Sequence, residues 1–265
     1  MRAALIAAAV AYAGILVMAP LGGILWTALH GGWHVAARTL SATDVRHAYA
    51  LTGVITLITV ALTTFFGVVV ALVLARDRFP GRRLASAVVD LPLAVSPVIV
   101  GLMAVLLFGR GGWFESFFAA RGIQIIFAVP SMILVTIFIC VPFVIREVIP
   151  VLEEVGTEEE DAARTLGASA MQTFFRVTLP NIRWGLLYGV ALSTARALGE
   201  IGAVLIVSGA IQGKTETATL YVLRALEERQ DASGYFVALT LALGSILLLS
   251  AIELAKRRRL KQGGR

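Results

Sequence analysis

An arginine and a glutamate stand four residues apart in an otherwise apolar stretch, at Arg196 and Glu200. On a helix, residues with this spacing share one face and can form an ion pair. A lone charge near the middle of a bilayer costs about 2.5–3.5 kcal/mol, so we expect each charge to find a partner. Two interpretations follow: the pair neutralises itself and fixes helix packing, or Arg196 offers its charge to an anion.

Hydroxyl groups in a second apolar stretch could serve the same kind of ligand. Thr52, Thr56, Thr59 and Thr63 recur at spacings of four, three and four residues, which places them on one face of a helix. Thr56 and Thr59 are candidates to donate hydrogen bonds to a dehydrated oxyanion. Threonines also form hydrogen bonds within membrane bundles, and we favour this packing role.

A third candidate is Ser96, which lies between Pro92 and Pro97. The two prolines should break the apolar run around them, and such breaks are tolerated where the backbone faces protein or a cavity. A helix end exposed there could offer N–H groups to an anion. Asp90 precedes the break and would repel an anion. We therefore expect Asp90 to end a helical turn or to join the Arg196 pair.

The remaining residues offer no catalytic constellation. Residues 209–215 resemble a phosphate-binding loop, but they have three residues between the glycines where that motif needs four. The three histidines of one loop, His30, His34 and His47, are a weak metal signal. Cys140 is the single cysteine and predicts a small core residue. We expect no catalytic site, no metal site and no cofactor bound by this chain.

Composition places the chain in a membrane. Its 265 residues are 58% hydrophobic and 15% charged, with a mean hydropathy of +0.86. Soluble domains have about 25% charged residues, so this composition is typical of a polytopic helical membrane protein. The net charge of +6 could suggest nucleic acid. However, the basic residues cluster at the ends of apolar runs, and we expect no nucleic-acid partner.

Six membrane spans can be drawn. The first follows Arg2 and is too long, at 26 residues, for the apolar region of a signal peptide. In the fifth span, Gly185, Gly189 and Ser193 recur every four residues and predict a close-packing seam at a subunit interface. The predicted spans cover residues 3–28, 51–75, 84–109, 125–145, 185–209 and 234–255.

The orientation follows from the distribution of lysine and arginine. Fifteen of them fall on the side that holds both termini, the loop after the second span and the segment 146–184, whereas seven fall on the other side. The positive-inside rule therefore predicts that both termini and the segment 146–184 are cytoplasmic. This segment nevertheless carries seven acids against four arginines. Contact with a partner would explain that excess.

The same polar segment reads as two short helices. Thr157 with Glu160 fits a capping box that opens the first helix at about residue 158. Gly167 should end it, because glycine adopts a left-handed cap at little cost. Ser169 with Gln172 forms a second capping box. These signals predict a helix, a turn and another helix.

The second helix carries large apolar groups on a cytoplasmic segment, namely Met171, Phe174 and Phe175. They could pack against the ends of the chain's own spans or contact another protein. Pro180 disfavours helical conformation at Leu179, so we expect an interruption there. For the segment as a unit, we favour a docking element.

Residues 161–180 resemble the EAA loop of ABC importer permeases, with the family's spacing throughout. Asp161 and Val177 depart conservatively from the usual Glu and Ile. In that family the loop forms coupling helices that sit in a groove of the ATPase subunit. The resemblance implies an ATPase-coupling role for Asp161, Ala162, Ala163, Gly167, Met171, Phe174, Leu179 and Pro180.

The resemblance extends from about residue 51 to the last span. Four stretches, at 90–98, 141–147, 178–185 and 195–203, together look like the CysW-type permeases of sulfate and thiosulfate importers. Molybdate permeases share much of the stretch around Arg196 and Glu200, so that motif alone does not select the anion. The match across the third and fourth spans favours sulfate.

We therefore predict an all-α integral membrane protein with the type I ABC importer permease fold, in the bacterial inner membrane. One transmembrane domain would occupy residues 1–265. The implied partners are a second homologous permease subunit, two ATP-binding subunits that use the ATP, an extracytoplasmic sulfate-binding protein and membrane lipid. In this setting Arg196, Glu200, Thr56, Thr59 and Ser96 become candidate pathway or gate residues.

Three alternatives remain beside this prediction. The first is a permease for molybdate or tungstate of the same class. The second is a secondary transporter driven by an ion gradient, which needs no docking loop and usually has acids or broken helices in both halves. A membrane-embedded enzyme is a weaker third, because no catalytic cluster is present.

Overall fold

The computed structural model of the protein describes residues 2–30 and 32–263, and it describes side chains for these except at 2–4, 17, 29 and 256–263. The side chains of the basic tail, counted in the predicted orientation, thus lie outside the described residues. All regular secondary structure in the described part is helical, as predicted. In chain order the helices are α1 (Arg2–His30), α2 (Gly32–Ser41), α3 (Thr43–Arg76), α4 (Arg82–Ala94), α5 (Pro97–Phe108), α6 (Glu115–Ala119), α7 (Val129–Val155), α8 (Glu158–Thr165), α9 (Ala170–Thr173), a π-helix (Phe174–Thr178), α10 (Leu179–Leu198), α11 (Gly202–Ser208), α12 (Ala218–Glu227) and α13 (Asp231–Gly263).

Several of these helices could cross a bilayer. Among the described residues, four are long and apolar enough, namely α1, α3, α7 and α13. Two bent pairs pass the same criterion as units: α4 with α5 bends by 109°, and the run from α9 through α10 bends by 53° into α11. Each predicted span coincides with one of these helices or bent pairs. The described chain therefore has four candidate crossings, or up to six if each bent pair crosses once.

The bend between α4 and α5 occurs where the sequence predicts a broken span. Pro97 is the first residue of α5, and Ser96 before it has a φ of −60° and a ψ of 136°. A proline ring disfavours helical conformation in the residue before it, so the chain turns at that point. Pro92 lies inside α4 and does not interrupt it. The predicted break is confirmed, and Pro97 accounts for it.

The second bend was not predicted, because residues 185–209 were expected to form one continuous span. The structure ends α10 at Leu198 and begins α11 at Gly202. Gly199 and Gly202 flank the interruption, and glycine weakens a helix interior. Thr219 donates a hydrogen bond of 2.8 Å to the carbonyl of Glu200, which the break leaves without a helical partner. A contact from α12 of the same chain thus stabilises the break.

Two apolar clusters follow one another along α3 and α7, which together with α10 form the centre of the fold. One joins the first half of α3 to α5, the first half of α7 and α11. The other joins the second half of α3 to the second half of α7 and the start of α10. Thr59 and Thr63 of α3 and Cys140 of α7 lie between them, and all three are buried. The prediction of Cys140 as a core residue is confirmed.

Glycines allow α10 to approach α7 closely. A Cβ atom at Gly185 would lie 2.7 Å from the carbonyl oxygen of Glu147, and one at Gly189 would lie 3.0 Å from the Cα of Val144. Farther along, Ser193 donates a hydrogen bond of 3.2 Å to the carbonyl of Cys140. The predicted close-packing seam is therefore present. Its partner is α7 of the same chain, so the prediction of a subunit interface was wrong.

Candidate functional site

The first helix of the polar segment begins at Glu158 as predicted, but the predicted capping box is wrong. The side chain of Thr157 makes no capping hydrogen bond. Glu160, the expected reciprocal partner, instead turns into the protein and is 7% exposed. Its carboxylate accepts hydrogen bonds from Arg76, at 3.1 Å, and from the hydroxyl of Thr178, at 3.0 Å. A charged, half-buried partner at the end of α3 has therefore displaced the local cap.

Arg76 is the centre of this arrangement. Its guanidinium donates to the carbonyls of Leu152, at 2.8 Å, and Gly156, at 2.5 Å, as well as to Glu160. These carbonyls lie at the end of α7, where a cation is favoured by the orphan carbonyl groups and the helix dipole. We call Arg76, Glu160 and Thr178 the Arg76 clamp. It joins the ends of α3 and α7 to α8 and to the π-helix.

The turn after α8 confirms the prediction for Gly167. This residue has a φ of +87°, in the left-handed region. Its N–H donates to the carbonyl of Arg164 at 2.9 Å, and the N–H of Ala168 donates to that of Ala163 at 3.0 Å. Together these two bonds form a Schellman motif, which satisfies carbonyls at the helix end. The sharp turn directs the chain into α9.

The second capping box is confirmed. The N–H of Gln172 donates to the hydroxyl of Ser169 at 3.3 Å, and the N–H of Ser169 donates to the side chain of Gln172 at 2.9 Å. This reciprocal pair fixes the start of α9. The turn and the cap together fix the path of the chain from α8 into α9 by contacts within the segment itself.

The expected interruption at Leu179 is wrong. The helix continues through a π-helical turn, in which the N–H of Leu179 donates to the carbonyl of Phe174, five residues earlier. Pro180 has no N–H and would crowd the carbonyl four residues before it in an α-helix. The wider π turn accommodates the proline without ending the helix. Consequently α9, the π-helix and α10 form one continuous rod from Ala170 to Leu198.

Three large apolar side chains of the polar segment point away from the protein. Leu166 is 89% exposed, Met171 67% and Phe175 57%. We call these three residues the apolar coupling patch. Phe174 is different, because it packs against the chain's own core beside the end of α7. Sequence reasoning missed Leu166, although a leucine placed just before the turning glycine was the available signal.

The other residues predicted for coupling lie around this patch. Asp161, Ala162, Gly167 and Pro180 are exposed, whereas Ala163 and Leu179 are half-buried. Asp161 pairs with Arg164 at 3.3 Å, and both side chains are 60% exposed. The segment therefore has an exposed face that combines apolar and acidic groups and an opposite face held by the Arg76 clamp.

The buried charges at the second bend pair with each other. Arg196 Nη1 lies 2.6 Å from Glu200 Oε2, in an ion pair that is close but not aligned as a hydrogen bond. The other carboxylate oxygen of Glu200 accepts the N–H of Ala203 at 2.9 Å and so caps α11. The expectation that the two residues share one helix face is wrong, because α10 ends between them. Glu200 is 3% exposed, whereas Arg196 is about one-third exposed.

The threonine face is buried inside the chain. Thr52 accepts the N–H of Ala218 at 2.9 Å, and Thr63 donates to the carbonyl of Thr59 at 2.8 Å. The hydroxyls of Thr56 and Thr59 are buried without a hydrogen-bond partner among the described atoms. These threonines thus face the chain's own core.

Two other polar residues of the apolar stretches lie near the first bend. Ser96 is exposed at the bend itself, and its side chain makes no capping bond to α5. Asp90 binds Arg146 of α7 through both carboxylate oxygens, with a distance of 2.6 Å from Nε to Oδ1. Asp90 therefore does not join the Arg196 pair. The structural role expected for Asp90 is consistent with this contact.

One cluster of charged residues was not predicted from the sequence. Arg224 of α12 donates to Glu216 at 2.6 Å and to Asp44 at 3.0 Å, and it also pairs with Glu228. The hydrogen bond with Glu216 is the main reason that the pKa of Arg224 lies above its usual value. The cluster ties the start of α3 to α12. Asp44 lies 180 residues from Arg224 in the chain, so no local pattern indicates that contact, although Arg224 and Glu228 are only four residues apart.

Comparison with known families gives a match over most of the chain. The family model described as "Binding-protein-dependent transport system inner membrane component" matches residues 64–261. A protein of Synechocystis sp., named sulfate transport system permease protein CysW, is 49% identical over 96% of this chain and 92% of its own length. A protein of the same name from Synechococcus elongatus is 47% identical over 94% of this chain and 86% of its own length.

A solved structure supports the fold independently of sequence. The crystal structure of a bacterial alginate ABC transporter, in complex with an alginate pentasaccharide-bound periplasmic protein, contains a chain that aligns with a TM-score of 0.79. The alignment covers 97% of this chain and 94% of the other, at 16% identity. At this identity the likeness shows the fold alone.

Proposed function

The chain belongs to the family of binding-protein-dependent transport system inner membrane components, and from this premise we propose that it is a permease subunit of an ATP-driven sulfate importer. The observation that carries the proposal is the identity of 49% and 47% to two sulfate transport system permease proteins, over more than nine-tenths of this chain. The chain would move the anion through the inner membrane while other subunits hydrolyse ATP. Thiosulfate and molybdate are the competing substrates.

We further propose the six-span arrangement, with each bent pair crossing the membrane once and the whole of residues 1–265 forming one transmembrane domain. The excess of lysine and arginine on one side supports a cytoplasmic location for both termini and for the segment 146–184. In this orientation the apolar coupling patch lies on the cytoplasmic side of the membrane, where ATP is available.

The apolar coupling patch is the proposed docking surface for an ATP-binding subunit. Exposed apolar patches on soluble loops mark interaction sites, and the three residues here are presented by a capped helix and a fixed turn. Asp161, Ala162 and Ala163 would border the contact, Gly167 would shape it, and Phe174, Leu179 and Pro180 would anchor the segment to the span below. Nucleotide closure in the partner would then move α8 and α9 together.

The assembly would contain this chain, a second homologous permease subunit, two ATP-binding subunits and an extracytoplasmic sulfate-binding protein, within membrane lipid. The chain itself binds no cofactor in this proposal, since the ATP belongs to its partners. Family membership supports a binding protein and ABC partners in general terms.

The proposed pathway residues differ in how well their positions suit contact with the anion. Arg196 is the best placed, because about a third of its side chain is exposed while Glu200 restrains it. Ser96, at the first bend, could present a hydroxyl and the N–H groups of α5. Thr56 and Thr59 face the core of the chain, which favours their packing role over contact with the anion.

Uptake into proteoliposomes tests the proposal. The purified complex with its binding protein should accumulate labelled sulfate only when ATP is enclosed on the cytoplasmic side. Unlabelled sulfate should compete better than molybdate. Uptake driven by a proton or sodium gradient without ATP would contradict the proposal, and preferential competition by molybdate would assign the chain to molybdate instead.

A further inference from the structure

The polar segment carries seven acids, and Glu160 is the one among them that is buried; all residues of this segment are described. Burying a carboxylate is costly unless it is paired and hydrogen-bonded. Glu160 meets both conditions, because Arg76 and Thr178 donate to the same oxygen at 3.1 Å and 3.0 Å. A residue held in this way has little freedom to move independently of its partners.

The partners of Glu160 come from three different elements. Arg76 is the last residue of α3, and it also holds the carbonyls of Leu152 and Gly156 at the end of α7. Thr178 is the last residue of the π-helix, which continues directly into α10. One carboxylate of α8 is thereby connected to the three helices that form the centre of the fold.

The other side-chain contacts of α8 connect it less fully to these three helices. Its helix neighbours are mainly α9 and the π-helix. A hydrogen bond of 2.6 Å from Asn181 to Glu159 also links it to α10, but it lies at the surface. The exposed pair Arg82–Glu153, at 3.4 Å, joins α4 to α7 without touching α8. Exposed pairs of this kind are screened by water and contribute little.

We propose that the Arg76 clamp is a set of positioning residues that transmits movement of α8 to the cytoplasmic ends of α3 and α7. The inference rests on the proposed function, in which an ATP-binding subunit moves α8. Without the clamp, α8 could follow its partner while the spans stay behind. ATP hydrolysis would then continue with less transport.

The test measures coupling in the reconstituted complex with its ATP-binding subunits and binding protein. Glu160→Gln keeps the shape of the side chain but removes the charge that holds Arg76. We expect the ratio of sulfate imported to ATP hydrolysed to fall about fivefold or more, the scale usual for a lost coupling energy. The ATP-binding subunits should still co-purify in normal amounts, because the apolar coupling patch is unchanged.

A matched control is the exposed pair on the same side of the protein. Arg82→Gln breaks the Arg82–Glu153 contact, whose side chains are 41% and 54% exposed. This variant should retain the wild-type ratio of sulfate to ATP. A merely structural role of Glu160 would reduce the amount of assembled complex but not the ratio for the complex that remains.

The outcomes separate the clamp from the proposed function. Unchanged coupling in Glu160→Gln would overturn the clamp, as would loss of ATP-binding subunits from this variant. Failure of the wild-type chain to bind such subunits would overturn the proposed function instead. If Glu160→Gln does not accumulate, Thr178→Val replaces it, since this change leaves the ion pair intact. A smaller fall in the same ratio would then support the clamp, and a wild-type ratio would contradict it.

Discussion

In the polar segment 146–184, here called the coupling segment, and at the helix break after α10, acidic residues lie beside arginines. The surroundings of these two groups of charges differ. At the break, the carboxylate of Glu200 contacts Arg196 and the N–H of Ala203, all within the chain. In the coupling segment, Glu160 is satisfied in the same internal way, but the face opposite to it leaves large apolar side chains exposed.

This difference shows that the two regions are built for different tasks. The contacts that hold the break lie within the chain, so substitutions that remove these contacts should alter folding. The coupling segment is complete only on its inner face, so changes to its outer face should alter binding to a partner and leave folding intact. Four substitutions test this contrast, from the largest expected effect to the smallest.

Glu200→Ala should have the largest effect, and it should be on stability. It strands Arg196 and removes the cap of α11. Loss of one member of a fully buried pair costs about 3–5 kcal/mol, and the cost here should lie toward the lower end because Arg196 is about one-third exposed. Thermal unfolding of the detergent-solubilised protein should therefore begin at a clearly lower temperature. Glu200→Gln, which can still accept the N–H of Ala203, should be less damaging. If Glu200→Ala unfolded at the wild-type temperature, this result would contradict a structural role of the pair.

Met171→Asp should abolish partner binding without affecting stability. It places a charge in the apolar coupling patch, and loss of a residue that carries much of the binding energy costs about 2 kcal/mol or more of binding free energy. Co-purification of the ATP-binding subunits should be lost while the unfolding temperature stays at the wild-type value.

The neighbouring phenylalanines provide the control for that experiment. Phe175→Ala alters the exposed patch and should weaken co-purification, whereas Phe174→Ala removes packing against the chain's own core and should lower the unfolding temperature. If both variants changed the same property, the division between an inner and an outer face would be wrong.

Gly167→Val should have a moderate effect. The residue has a φ of +87° and open space around the position of a Cβ atom, so the cost is that of the backbone alone. A β-branched residue in the left-handed region costs about 1–2 kcal/mol. We expect weaker docking and loss of uptake with normal membrane insertion. Gly167→Asn, which tolerates this conformation, should transport sulfate, and normal transport by the valine variant would show that the turn is dispensable.

Thr56→Val combined with Thr59→Val should have the smallest effect. Both hydroxyls are buried without a partner among the described atoms, so their loss removes no described hydrogen bond. We expect the free energy of unfolding not to fall, because an unpaired buried hydroxyl contributes no stabilising hydrogen bond. Thr52→Val is the control, because it loses the bond to Ala218 and should cost about 1 kcal/mol. A fall in the ratio of sulfate imported to ATP hydrolysed for the double variant would instead assign these threonines to the anion pathway.

Local signals in the sequence predicted local structure well. The spans follow from the length of apolar runs, the first bend from Pro97, the turn from Gly167 and the start of α9 from Ser169 and Gln172. Each of these depends on a residue's own backbone preference or on a partner within a few positions.

The failures share a different cause. The predicted capping box at Thr157 does not form, because Glu160 pairs with Arg76, which is 84 residues away in the chain. The expected break at Leu179 was avoided by a π turn, and the real break around Glu200 is held by Thr219. Such features depend on which helices meet in space, and no short pattern records that. The resemblance to a family, by contrast, predicted the fold directly.

Accessibility of position 171 tests the central claim most directly. The native Cys140 is buried, so Met171→Cys would supply an exposed thiol for a water-soluble maleimide. The account predicts rapid labelling of the permease alone and strong protection once the ATP-binding subunits are bound, in a complex that still imports sulfate. Equal labelling with and without those subunits, in a complex that hydrolyses ATP and imports sulfate, would contradict the docking of this segment.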